Sequence, residues 1–177
     1  LIQYHMHIPG PDPMTNKDTI ARWDYYREYH PGKVGGTPTT LFNGVPKAGG
    51  GGGMANAEAK YGAYRAVIDP LLEESTPVKL AGRATRAGDK VEVAVDYAGV
   101  PTGEDAKLKL RLVLVEDTVR YVGGNKLRFH HSVVRAMPGG AAGTALKAAT
   151  GTQTTTVDVA QVRASLTQYL DEYAAER

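Results

Sequence analysis

The sequence predicts an α/β unit followed by a mostly antiparallel β-sandwich that ends in a helix. Three observations carry this expectation. Residues 1–75 read in turn as strand, helix, strand, loop and helix. After Pro77, short runs alternate apolar and polar residues, with turn residues between them. From Asp158, apolar residues recur at helical spacing. The two units meet near Ser75 and Pro77, so the expected domains are 1–76 and 77–177.

Residues 1–8 (LIQYHMHI) are apolar and aromatic, and the PGPDP run stops them as a strand. The chain thus opens inside a strand-like run, which creates the expectation of a segment upstream. Thr15 or Asn16 caps a helix reaching about His30, with Ile20, Trp23, Tyr26 and Tyr29 or His30 as its apolar stripe. Pro31-Gly32 ends it. Residues 39–42 form a short strand and Asn43-Gly44 a turn. The glycine run at 49–53 reads as a flexible connection. A helix over about 56–74 follows, with Tyr61, Tyr64, Ile68 and Leu71 on its stripe. Pro70 should kink it or restart it under an Asp69 cap.

The second unit has four main strand candidates: VKLAGRATR, KVEVAVDY, KLKLRLVLVE and NKLRFHHSVVRAM. In the second, Val91, Val93, Val95 and Tyr97 share one face. The segment GTALKAATGTQTTTV adds further candidates. A helix over 158–175 is announced by a capping box, Asp158 with Gln161 three residues on.

Composition narrows the function classes. The 177 residues are 42% hydrophobic and 23% charged, as in a globular protein, with a net charge of +2. That balance supplies no electrostatic reason to expect nucleic acid or an anionic membrane as partner. No apolar run approaches the roughly 20 residues of a membrane-spanning helix. There is no cysteine, so thiolate nucleophiles, disulfides and cysteine metal sites cannot form within the chain.

The segment VGGTPTTLFNG, with Pro38 at the mouth of a strand, resembles the cis-proline segment of the thioredoxin family. The neighbouring motifs extend the likeness: His5, Asp12-Pro13-Met14, Ala21-Arg22 and Tyr25-Tyr26. They are similar to those of thioredoxin-like proteins of bacterial cell envelopes that carry an appended β-sandwich. The resemblance implies a thioredoxin-like unit lacking its N-terminal strand and helix. It implies a periplasmic, envelope or secreted location and a thiol–disulfide or scaffold role. It also implies a cis bond at Thr37–Pro38, with both residues lining a site for an extended peptide or protein substrate. Another segment or another chain would complete the sheet. The family's Cys-x-x-Cys pair has no counterpart here, so this chain is expected to be inactive as an oxidoreductase. The absent thiols fit a second reading equally directly: a non-catalytic module that binds protein or glycan, or serves assembly.

No cofactor is implied. His5 and His7, two apart, would share a strand face and could chelate a metal with Asp12. Packed or hydrogen-bonded neutral histidines are the commoner outcome. His130 and His131 should face opposite ways. The glycine run lacks the Lys-Ser or Lys-Thr of a phosphate loop. No G-x-S-x-G occurs, and Ser75, Ser132 and Ser165 have no local triad partner. Glu104 and Asp105 read as turn carboxylates, and Asp69, Glu73 and Glu74 as a solvated helix end.

Overall fold

The computed structural model describes residues 1–102, 108–124 and 126–176. The helices are α1 (Lys17–Tyr29), α2 (Ala57–Glu73) and α3 (Val159–Ala175). The strands are β1 (Thr39–Phe42), β2 (Val45–Gly49), β3 (Lys79–Ala87), β4 (Lys90–Ala98), β5 (Lys109–Leu110), β6 (Leu114–Arg120), β7 (Phe129–Ala136), β8 (Thr144–Ala145) and β9 (Gly151–Asp158). Glu104 and Asp105 lie outside the described residues. Among those described, no helix is long and apolar enough to cross a membrane. Two compact units result: Leu1–Arg22 with Pro77–Arg177, and Trp23–Thr76.

In the larger unit, β4 is the centre of an antiparallel sheet ordered β3-β4-β9. Val91, Val93, Val95 and Tyr97 do share a face, and Ala94 and Val95 are buried. β3 is an edge whose nine residues are all exposed. Asp96 ties the three strands together, accepting from Arg83 at 2.5 Å and from Thr152 at 2.6 Å. Those hydrogen bonds, Thr152's first, hold its carboxyl below the usual aspartate value.

The mostly antiparallel β-sandwich expected for this region is not what forms. The remaining strands make two separate two-stranded ladders, β5 with β8 and β6 with β7. The alternating run KLKLRLVLVE, expected as one strand, is divided between them: Leu110 pairs with Thr144 and Leu114 with Ala136. Alternation specifies which side chains share a face, but not which strand supplies the partner. Core packing centres on β7, where Val133 and Val134 are fully buried.

A thioredoxin-like arrangement is likewise absent. It would need residues 1–8 as a strand of the sheet containing β1. Instead the Gln3 N–H bonds to the Ser132 carbonyl, and the Gln3 carbonyl accepts from Val134 N–H, both at 3.0 Å. These bonds form an isolated parallel bridge to Val133. A backbone group committed to β7 cannot also serve β1. Among the described residues, β1 pairs with β2 alone, antiparallel.

The buried side of α1 also differs from the expected stripe. Ile20 is 36% exposed and Tyr29 58%, whereas Thr19 and Arg22 are buried. Polar bonds made at the helix start decide this. The Asn16 side chain accepts from the N–H groups of Asp18 and Thr19, and donates to the Val134 carbonyl at 2.8 Å. Asp18 accepts from Met137 N–H at 2.6 Å, and Arg22 donates to the Ala141 carbonyl at 3.1 Å.

In the smaller unit, Val34 and Phe42 are the buried hydrophobic residues, and α2 buries none. α2 runs through Pro70 without restarting, and Asp69 pairs with Arg65 at 2.8 Å rather than capping a new helix. At the chain's other end, α3 starts as the capping box requires: Asp158 accepts from Gln161 N–H at 3.0 Å.

Candidate functional site

Asp12 is the centre of a polar cluster in the larger unit that draws in His5, His7, Met14 and Tyr169. It sits between Pro11 and Pro13 and opens a turn, its carbonyl accepting from Thr15 N–H at 3.2 Å. Its Oδ1 accepts from Met14 N–H at 2.7 Å, forming an Asx turn. Its Oδ2 accepts the Nδ1–H of His5 at 2.8 Å. Its own N–H donates to His7 Nδ1 at 3.3 Å, and its carbonyl accepts the Tyr169 hydroxyl at 2.6 Å. One residue therefore joins both N-terminal histidines to α3.

Burial alone would push the Asp12 carboxyl up. The bonds from His5 and Met14, with the imidazoles of His5 and His130 nearby, outweigh that and hold it below the ordinary aspartate value. His130, brought from β7, is 6% exposed. Its Nε2–H donates to the Tyr121 carbonyl at 3.1 Å, and its ring meets His5 edge-on with centroids 5.2 Å apart. His131 points elsewhere, 3.3 Å from the Thr118 hydroxyl.

Chemically, the Asp12–His5 pair fixes one tautomer. With Nδ1–H committed to the carboxylate, a neutral His5 keeps its lone pair on Nε2. By sequence, His5, His7 and Asp12 could chelate a metal, with hydrogen-bonded neutral histidines as the commoner outcome. The structure brings these three together, yet His5 is occupied by Asp12, and His7 faces the Asp12 main chain and the Tyr169 ring. Among the described residues, no group of three His, Cys, Asp or Glu side chains is arranged to hold a metal. Reading by sequence missed His130 and Tyr169 as members of this cluster. They lie far along the chain, and no local motif announces them.

The second predicted site is in the smaller unit. The Thr37–Pro38 peptide bond is cis, and both residues are exposed. The Thr39 hydroxyl donates to the Gly36 carbonyl at 2.5 Å, and the Thr40 hydroxyl lies 2.9 Å from that of Tyr64. The first part of the glycine run is packed against Pro38, whereas a Cβ at Gly53 would meet nothing within 4 Å. Gly49 pairs with Thr39 in the ladder. A Cβ at Gly50 would stand 2.4 Å from the Pro38 carbonyl oxygen, and one at Gly51 would stand 2.3 Å from Pro38 Cγ. Gly51 also has a φ of +64°, where side chains are strained. Lys60 and Tyr64 of α2 then donate to the Gly49 carbonyl.

The two clusters are built in different units, each from its own residues. No family model, no curated protein and no solved structure matches this chain.

Proposed function

We propose that this chain is a non-catalytic polypeptide-binding module, and that β1, beside Thr37 and Pro38, takes up an extended segment of another polypeptide. The observation that carries this reading is the two-stranded sheet of the smaller unit. A two-stranded ribbon is marginal in water, and a third strand supplies both ladder bonds and apolar cover. The unit is poor in both, with Val34 and Phe42 as its buried hydrophobic residues.

The two edges of the ribbon are not equivalent. β2 carries Pro46, which lacks an N–H, and its Gly49 carbonyl is already bonded by α2. β1 has the sequence TTLF, with no proline and no strand on its outer side. An extended peptide therefore fits β1 by strand addition. The chain has no cysteine, so it offers main-chain and hydroxyl hydrogen bonding here, not thiol chemistry.

Hydrogen exchange of the 177-residue chain, alone and with peptides selected on it from a random library, tests the reading. Bound peptide should slow exchange at residues 39–42. Selected peptides that bind yet leave these amides unchanged would place the binding surface elsewhere and sink the proposal.

A further inference from the structure

The end of the β6–β7 ribbon is a surface that the peptide-binding reading does not use. Arg120 pairs with Phe129, and the Tyr121 N–H bonds to the Arg128 carbonyl at 3.1 Å. That bond carries the pairing one step further, and Val122 and Leu127 come next along the two arms, close in sequence to Phe129. All three are large and apolar, and exposed by 61%, 58% and 52%. Arg120, Lys126 and Arg128 alternate with them along the sequence, each exposed.

Charge is distributed unevenly around this patch. The whole chain carries only +2, but residues 118–157 contain no aspartate or glutamate. Arg135 of the same stretch is neutralised by Glu116 at 2.9 Å. None of the ion pairs among the described residues uses Arg120, Lys126 or Arg128.

We infer that this ribbon end docks on an anionic phospholipid surface, with Val122, Leu127 and Phe129 entering the headgroup–acyl boundary and the three cations meeting lipid phosphates. The combination is what an interfacial anchor needs: apolar side chains at a tip, flanked by charges of one sign. An acidic protein would satisfy the cations equally. However, three apolar side chains at a ribbon tip fall well short of the roughly 800 Å² that each partner contributes to a standard protein interface. A membrane needs no matching contour, so the tip alone suffices.

Co-sedimentation of the full chain with phosphatidylcholine vesicles, with and without phosphatidylserine, tests this. Binding should require phosphatidylserine and weaken as salt rises. Losing one cation should weaken partitioning about fivefold, and Lys126→Glu with Arg128→Glu should weaken it further. Val122→Ser with Leu127→Ser should also weaken binding, while leaving the salt dependence in place. Both pairs lie on the surface, and circular dichroism of each variant serves as the check that it is folded. Equal sedimentation with both vesicle types, absence of binding, or indifference to the charge reversals would overturn the inference. So would a poly-glutamate peptide bound as tightly as the vesicles, which would make the partner an acidic polypeptide.

Discussion

The Tyr169 hydroxyl donates to the main-chain carbonyl of Asp12 at 2.6 Å, joining α3 to a loop 157 positions earlier in the chain. Asp12 uses its remaining polar atoms on His5, His7 and Met14. Beyond the Gln3 bridge to β7, the N-terminal loop is tied to α3 through Asp12, and this makes it sensitive to changes in α3. Tyr169→Phe removes a single hydrogen bond while keeping the ring. It should cost about 1 kcal/mol of unfolding free energy, measured by urea denaturation. Hydrogen exchange should localise the loosening to residues 3–14.

Asp12 itself should matter more. Asp12→Ala leaves the His5 Nδ1–H and the Met14 N–H without their acceptor, at a cost of about 1–3 kcal/mol. Asp12→Asn keeps a side-chain oxygen for Met14 and should cost less. The pH dependence follows from the carboxyl's lowered folded-state value. A depressed carboxyl stabilises the fold above its unfolded value, near 3.8, and that contribution is lost as pH falls through the folded value. The stability gap between the native protein and Asp12→Asn should therefore be full at neutral pH and close below pH 3.8. A gap that stays constant down to acid unfolding would contradict the assignment.

The glycines at 50 and 51 should be intolerant of alanine. Gly51→Ala meets Pro38 Cγ and adopts a left-handed φ, while Gly50→Ala meets the Pro38 carbonyl. Each should destabilise Trp23–Thr76 by more than about 1 kcal/mol. Gly53→Ala, where a Cβ meets nothing within 4 Å, should be close to neutral. Exchange rates at β1 and β2 would separate the three.

Ser132 lies inside β7 with a φ of +52°, a conformation that non-glycine residues adopt at a cost. Its carbonyl takes the Gln3 N–H. Ser132→Gly should be neutral to stabilising, by up to about 1 kcal/mol, and Ser132→Val strongly destabilising. Thermal melts of the two variants should diverge in opposite directions or leave only the valine form weakened.

Helix α3 offers the cleanest comparison of local and distant effects. Asp158→Ala removes the cap to Gln161 N–H and should cost about 0.5–2 kcal/mol. Because that cap is distant in sequence from Tyr169, the double variant with Tyr169→Phe tests whether the two losses add.

Much of the local structure was legible. The caps at Asn16 and Asp158, the Asn43-Gly44 turn with φ values of 47° and 79°, and the strand over Lys90–Ala98 all follow from residue types within a few positions of one another. The face shared by Val91, Val93, Val95 and Tyr97 follows from period two alone. The packing at Gly50 and Gly51 was not legible because its cause, the close approach of Pro38, lies 12 positions away from Gly50. Tyr29 or His30 was expected on the apolar stripe of α1, yet Tyr29 is more than half exposed and its ring stacks on that of Tyr25 with centroids 4.4 Å apart.

The sequence by itself determined that no thiol chemistry occurs within this chain, where its helices start, and which side chains share a strand face. These depend on composition and on contacts between near neighbours along the chain. Only the tertiary structure decided that the Gln3 backbone pairs with β7 rather than β1, that Asp12 gathers His5, His7 and Tyr169, and that His130 packs against His5. Backbone donors and acceptors are alike at every position, so their distant partners are chosen by the packing and polar satisfaction of the whole unit, which no short stretch encodes.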